Sequence, residues 1–103
     1  MIEQLQPFIQ PYARALLARF ASRGAQVTSV YRTRYQQAVL YSAFLARGRR
    51  PPPVAPPGSS MHERRRALDV EADPQTLLMM GLWWEWAGGR WGGRFGDAIH
   101  FEA

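Results

Sequence analysis

The chain has 103 residues, enough for one domain and not two, and at 47% hydrophobic residues it can bury a single modest core. It has no cysteine, which excludes a disulfide framework and a Cys-based zinc finger, so any metal site must use His, Asp and Glu. Its thirteen positive side chains are all arginine and its formal net charge is +5, a balance that favours nucleic acid, an anionic membrane or an anionic wall polymer without choosing among them.

Leu5, Phe8, Ile9, Tyr12, Leu16, Leu17 and Phe20 recur at helical spacing, with Arg14, Arg19 and Arg23 mostly off that stripe. The pattern predicts an amphipathic helix with Pro7 or Pro11 in its first turn and Gly24 as its stop. The same opening lacks the basic start and unbroken apolar run of a secretory signal, because Gln4, Gln6 and Gln10 interrupt it. No stretch approaches the roughly 20 apolar residues of a membrane span. The chain is therefore expected to be made in the cytoplasm, to insert into no membrane, and to need a separate release step if its target lies outside.

Val27–Tyr31 is short and β-branched and predicts a strand. Arg34–Arg47 predicts a second helix ending at Gly48. Arg49–Ser60 is a loop, because Pro51-Pro52-Pro53 and Pro56-Pro57 forbid both helix and central strand. An irregular loop of that length in a small domain is often functional. Ala67–Val70 predicts another strand. Asp73 as N-cap and Pro74 at the first helical position start a third helix that runs to about Trp86. Gly88–Gly93 breaks it, and Trp91–Glu102 predicts a closing hairpin or a pair of short strands.

The chain has two histidines, His62 after the proline loop and His100 near the end. Asp69 follows His62 by seven positions, and Asp97 precedes His100 by three. A catalytic zinc site uses three protein ligands and keeps a fourth position open, and two His with one carboxylate satisfy it. A turn at Gly96 would let Asp97 and His100 reach one cleft, although on a flat strand their odd separation would send them to opposite faces.

Three blocks resemble one family. Pro56-Pro57-Gly58-Ser59-Ser60-Met61-His62, continuing to Ala67-Leu68-Asp69-Val70, resembles S-x-H-x-x-G-x-A-x-D after a proline-glycine turn. Trp91-Gly92-Gly93 with Asp97-Ala98-Ile99-His100-Phe101-Glu102 resembles W-G-G followed by D-x-x-H-F-E. Ser29-Val30-Tyr31-Arg32-Thr33, then Gln37 and Leu40-Tyr41, resembles S-x-Y-R-[ST] and Q-x-x-L-Y. These are the blocks of the D-alanyl-D-alanine carboxypeptidase and L-alanyl-D-glutamate endopeptidase family of zinc peptidases, to which phage endolysins contribute many members. The resemblance spans roughly residues 27 to 103 and departs at Arg65, where the family has glycine.

The resemblance implies an α+β fold of the Hedgehog/DD-peptidase type: a small antiparallel sheet, about three helices and a zinc site in a cleft on the sheet. The whole chain, 1–103, would be one catalytic domain without a separate wall-binding module, acting as a monomer on peptidoglycan stem peptides. It implies Zn2+ held by His62, Asp69 and His100, with Asp97 as general base. Arg32 would bind the substrate carbonyl and stabilise the developing oxyanion, and Ser60 would bind substrate or cap the turn. Tyr31, Gln37 and Tyr41 are read as structural, and Glu102 as a residue that orients a neighbour. One or two of the four tryptophans are candidates to line the groove. Asp97 in D-x-x-H, rather than glutamate, favours the endopeptidase over the carboxypeptidase. Two readings of other classes compete: a nucleic-acid-binding module, which the lack of a clean basic helix face disfavours, and a non-catalytic wall-binding fold, which the intact Asp97 disfavours.

Overall fold

The computed structural model describes all 103 residues. Helix α1 spans Gln10–Phe20, β1 Gln26–Ser29, α2 Arg34–Ala46, β2 Ala67–Glu71, α3 Pro74–Trp86, β3 Arg90–Trp91 and β4 His100–Glu102. The strands form one antiparallel sheet in the order β1-β2-β4-β3. Opposite residues are Asp69 and His100, Leu68 and Phe101, and Ala67 and Glu102.

Because side chains alternate across a strand, this register sorts the two faces. Leu68, Val70 and Phe101 point to the back, where α1 and α3 cover them through Leu16, Met80 and Trp84. Trp84 meets Phe101 edge to face, with ring centres 6.1 Å apart, and its indole N–H donates to the Glu102 carbonyl at 2.9 Å. Asp69, His100 and Glu102 point to the front, where α2 and the proline loop wall a cleft.

The helix boundaries follow local chemistry. Helix α1 starts at Gln10, later than the apolar stripe begins, because Pro11 inside a longer helix would clash with the carbonyl four residues back. Leu5 to Ile9 form turns instead, and Phe8 and Tyr12, part of the predicted stripe, are exposed. Gly24, at φ +81°, ends the 3-10 turn that follows the helix. Helix α2 opens with a capping box between Thr33 and Gln36. Helix α3 opens on Asp73, whose carboxylate accepts from the Thr76 amide at 2.9 Å and its hydroxyl at 2.8 Å. The closing segment is the expected strand pair, interrupted by a 3-10 turn over Gly92–Phe95.

Arg65, where the resembled family has glycine, has φ +57°. A non-glycine residue there costs on the order of 1 kcal/mol. Its guanidinium stacks 3.9 Å over the Tyr31 ring and donates to the Gln4 carbonyl at 3.3 Å, contacts that oppose this cost. Tyr31 is thus structural, as expected.

Gly81 sits where α3 crosses Trp91, and a Cβ there would lie 2.1 Å from the indole ring. We expect Gly81→Val to destabilise the fold by about 3 kcal/mol through overpacking and lost helix propensity. Chemical denaturation measures it, and a change within about 0.5 kcal/mol would contradict this account of the α3–Trp91 contact.

Candidate metal centre

Each side chain at the front of the sheet is placed by an identifiable piece of backbone. Asp69 sits on the central strand β2 and His100 opposite it on β4. His62 comes from the end of the proline loop, and its backbone N–H donates to Ser60 Oγ at 3.2 Å. The ligand-capable atoms of His62, Asp69 and His100 lie within 4.8 Å of one another. His62 Nε2 is 3.2 Å and His100 Nδ1 3.5 Å from Asp69 Oδ1.

The outer nitrogens show that this cluster fits a cation. His62 Nδ1 lies 2.6 Å from the Val30 carbonyl, so its proton belongs there and Nε2 keeps its lone pair facing Asp69. His100 Nε2 lies 2.8 Å from Glu102 Oε1, so Nδ1 faces inward. Two imidazole lone pairs and a carboxylate oxygen therefore converge when both rings are neutral. Such a set suits a divalent ion of zinc type, and the outer hydrogen bonds are the kind that orient metal-binding histidines. Glu102 orients His100, its expected kind of role.

Charge tightens the cluster. When the rings are charged instead, their N–H groups face Asp69: burial alone would raise its pKa, but hydrogen bonds from His100 and His62 and the charges of His62 and Arg32 outweigh it and hold the carboxyl well below the usual range. Burial would lower the His100 pKa, but its hydrogen bonds to Asp69 and Glu102 raise it instead. Arg32 Nη2 donates to Asp69 Oδ2 at 2.6 Å, leaving Oδ1 to face the histidines.

Asp97 lines the same cleft, which has a volume of about 470 Å³. It stands outside the three-residue cluster. Gly96, at φ +85°, makes the turn that lets Asp97 and His100 share the cleft. The Asp97 carbonyl accepts from the His100 amide at 3.0 Å, and the Asp97 amide donates to the Gly92 carbonyl at 2.8 Å. Gly92 is needed here, since a Cβ would lie 2.2 Å from the Asp97 carbonyl oxygen. Burial raises the Asp97 pKa, and the Asp69 charge adds to it against the opposing charges of His100, His62 and Arg32.

The structure thus brings His62, Asp69, His100, Asp97, Arg32 and Ser60 to one cleft. None of the four tryptophans lines it: Trp84 and Trp91 are core, Trp83 is half-buried behind the sheet and Trp86 is exposed. Bulky residues on α3 and β3 serve the back layer, which is why the expected groove tryptophan is missing. One supporting residue escaped the sequence reading, and a second, Gln37, stands in the cleft lining. Glu63 Oε2 accepts from the Gly58 amide at 2.8 Å and the Ser60 amide at 3.4 Å, pinning the end of the proline loop. Gln37, read as structural, is buried against the cleft; it donates to the Ala55 carbonyl at 2.9 Å and accepts from Arg32 at 3.4 Å. A carboxylate one residue after His62 was the only available signal for Glu63, and it is too common to single out.

No family model matches the sequence, and no curated protein does. Among solved structures, the chain is similar to a crystal structure of a mutant of the vancomycin-resistance D,D-pentapeptidase VanY, from a VanB-type resistance cassette, in complex with Zn(II). The superposition has a TM-score of 0.74 at 19% identity and covers 95% of this chain and 71% of that one. The chain therefore has the α+β fold of that peptidase.

Proposed function

We propose that this chain is a zinc-dependent peptidase that hydrolyses stem-peptide bonds of peptidoglycan, most simply between L-alanine and D-glutamate. The observation that carries the proposal is the convergence of His62 Nε2, His100 Nδ1 and Asp69 Oδ1 at the base of a cleft that Asp97 also lines. The fold likeness to a zinc-bound D,D-pentapeptidase supports the same class. The bond assignment rests on Asp97 standing where the carboxypeptidases of the resembled family often carry glutamate. A D,D-carboxypeptidase is the second reading, and the VanY likeness is what favours it. In either case the protein works outside the membrane after release.

His62, Asp69 and His100 would hold the ion. Zinc there would supply Lewis acidity toward the scissile carbonyl and would acidify a water molecule. Asp97 accepts the proton of the attacking water on its carboxylate and returns it to the leaving amine. Its partly buried setting favours a carboxyl that both takes and gives that proton. Arg32 fixes Asp69 and presents its remaining N–H groups to the substrate carbonyl, where negative charge develops. Ser60 acts through the turn, holding the His62 amide, and borders the substrate.

Three outcomes test this reading. Elemental analysis should find about one zinc per chain, and His62→Ala and His100→Ala should each lose metal and activity together. Wall lysis by zinc-free protein would end the proposal. Asp97→Asn should retain zinc and fold while turnover falls by about 10²–10⁴-fold, whereas Asp69→Asn should weaken metal binding; zinc loss in Asp97→Asn equal to that in Asp69→Asn would make Asp97 a ligand. Mass spectrometry of digested peptidoglycan should show new D-glutamate amino termini, whereas release of free D-alanine would assign the carboxypeptidase instead.

A further inference from the structure

Helix α3 buries Leu77, Met80 and Trp84 against the sheet, yet its outer side is also apolar. Leu78, Met79, Leu82 and Trp86 are exposed there, Trp86 at 81%. A helix apolar on all sides ordinarily has a partner on each side. On α1, which packs beside α3, Tyr12 is exposed as well, as is Phe8 in the turn before it, and with Trp84 and Ala87 they border a shallow apolar hollow of about 180 Å³.

The unpaired charges of this layer have one sign. No carboxylate occurs between Gln4 and His62. Arg14 and Arg19 are exposed on α1, and Arg23 reaches the first turn of α3, its Nε donating to Thr76 Oγ1 at 2.9 Å. The carboxylates of the layer are occupied: Glu3 pairs with the N-terminal ammonium, Asp73 caps α3, and Glu85 pairs with Arg94 through two bonds of 2.9 and 2.8 Å. The other acids, apart from exposed Glu71, gather at or beside the cleft.

We propose that the outer face of the α1/α3 layer docks on an anionic lipid bilayer, with Leu78, Leu82 and Trp86 entering the headgroup boundary and Arg14 and Arg19 meeting lipid phosphates. Exposed tryptophan and leucine beside unpaired arginines is the composition that adsorbs to such a surface. The protein rests on the bilayer and does not span it, since no helix is long and apolar enough to cross. Charge favours lipid over a second copy of the chain, because a two-fold contact through this face would set the arginines of both copies close together. Docking here leaves the cleft open, because Asp69 and His100 project from the opposite side of the sheet.

The test is co-sedimentation of the intact chain with vesicles of phosphatidylcholine alone and of phosphatidylcholine mixed with phosphatidylglycerol. Binding should require phosphatidylglycerol and weaken with salt, and tryptophan emission should shift to the blue. Leu82→Ser with Trp86→Ser should weaken partitioning by about tenfold or more, and Arg14→Gln and Arg19→Gln by about fivefold each. Hydrolysis of a soluble muropeptide should be unchanged in all of them. Trp86→Ser alone, at a largely exposed site, serves if the double variant misfolds. Equal binding to both vesicles, or binding indifferent to these substitutions, would overturn the proposal. So would a wild-type dimer that Trp86→Ser converts to monomer, since the face would then belong to a second copy.

Discussion

The site depends on one strand register. Asp69 on β2 faces His100 on β4, and a slip of a single residue would send one of them into the core. The register is held from behind, where Leu68 and Phe101 form the neighbouring pair and Phe101 packs on Trp84. A fully buried aromatic on one face thus determines where a polar ligand stands on the other. The ligands from the strands inherit the rigidity of the core, and only His62 comes from irregular backbone. That backbone is tied down in turn by Ser60, Glu63 and the Val30 carbonyl.

Much of this was legible in the residues. Asp73-Pro74 and the break at Gly88 bracketed α3 closely, because a side-chain cap and a proline act locally. The placement of Asp97 beside His100 followed from Gly96, whose positive φ reverses the chain where a strand would have split the pair. The start of α1 was less legible: the apolar stripe runs back to Leu5, but the backbone obeys Pro11. Tertiary partners were least legible. Glu63, Gln37 and the pairing of Arg32 with Asp69 join residues distant in sequence or bind backbone amides, and spacing carries no record of either.

The two faces of the sheet are also chemically unlike. The front gathers both histidines with Asp69, Asp97 and Glu102 around a cleft whose lining also includes Arg32 and Arg47, while the layer behind the sheet exposes Leu78, Leu82 and Trp86. Arg32 is the cation set into the cluster, and its charge is largely matched by Asp69.

The stack of Arg65 on Tyr31 has a mechanical consequence. Residues 30–32 and 62–65 are joined at three successive points: the Val30 carbonyl to the His62 ring, the Arg32 amide to the His62 carbonyl, and the Tyr31 ring to the Arg65 guanidinium. The segment carrying the first histidine therefore behaves as a splint laid along the end of β1. A glycine at position 65 would leave that splint hinged at one end. Arginine clamps it, and it also narrows the range of shapes open to the unfolded chain at that point. The cleft wall that rises from this segment is thereby fastened at its base, and the proline-rich stretch above it is tied in turn to α2 through Gln37 and Arg47.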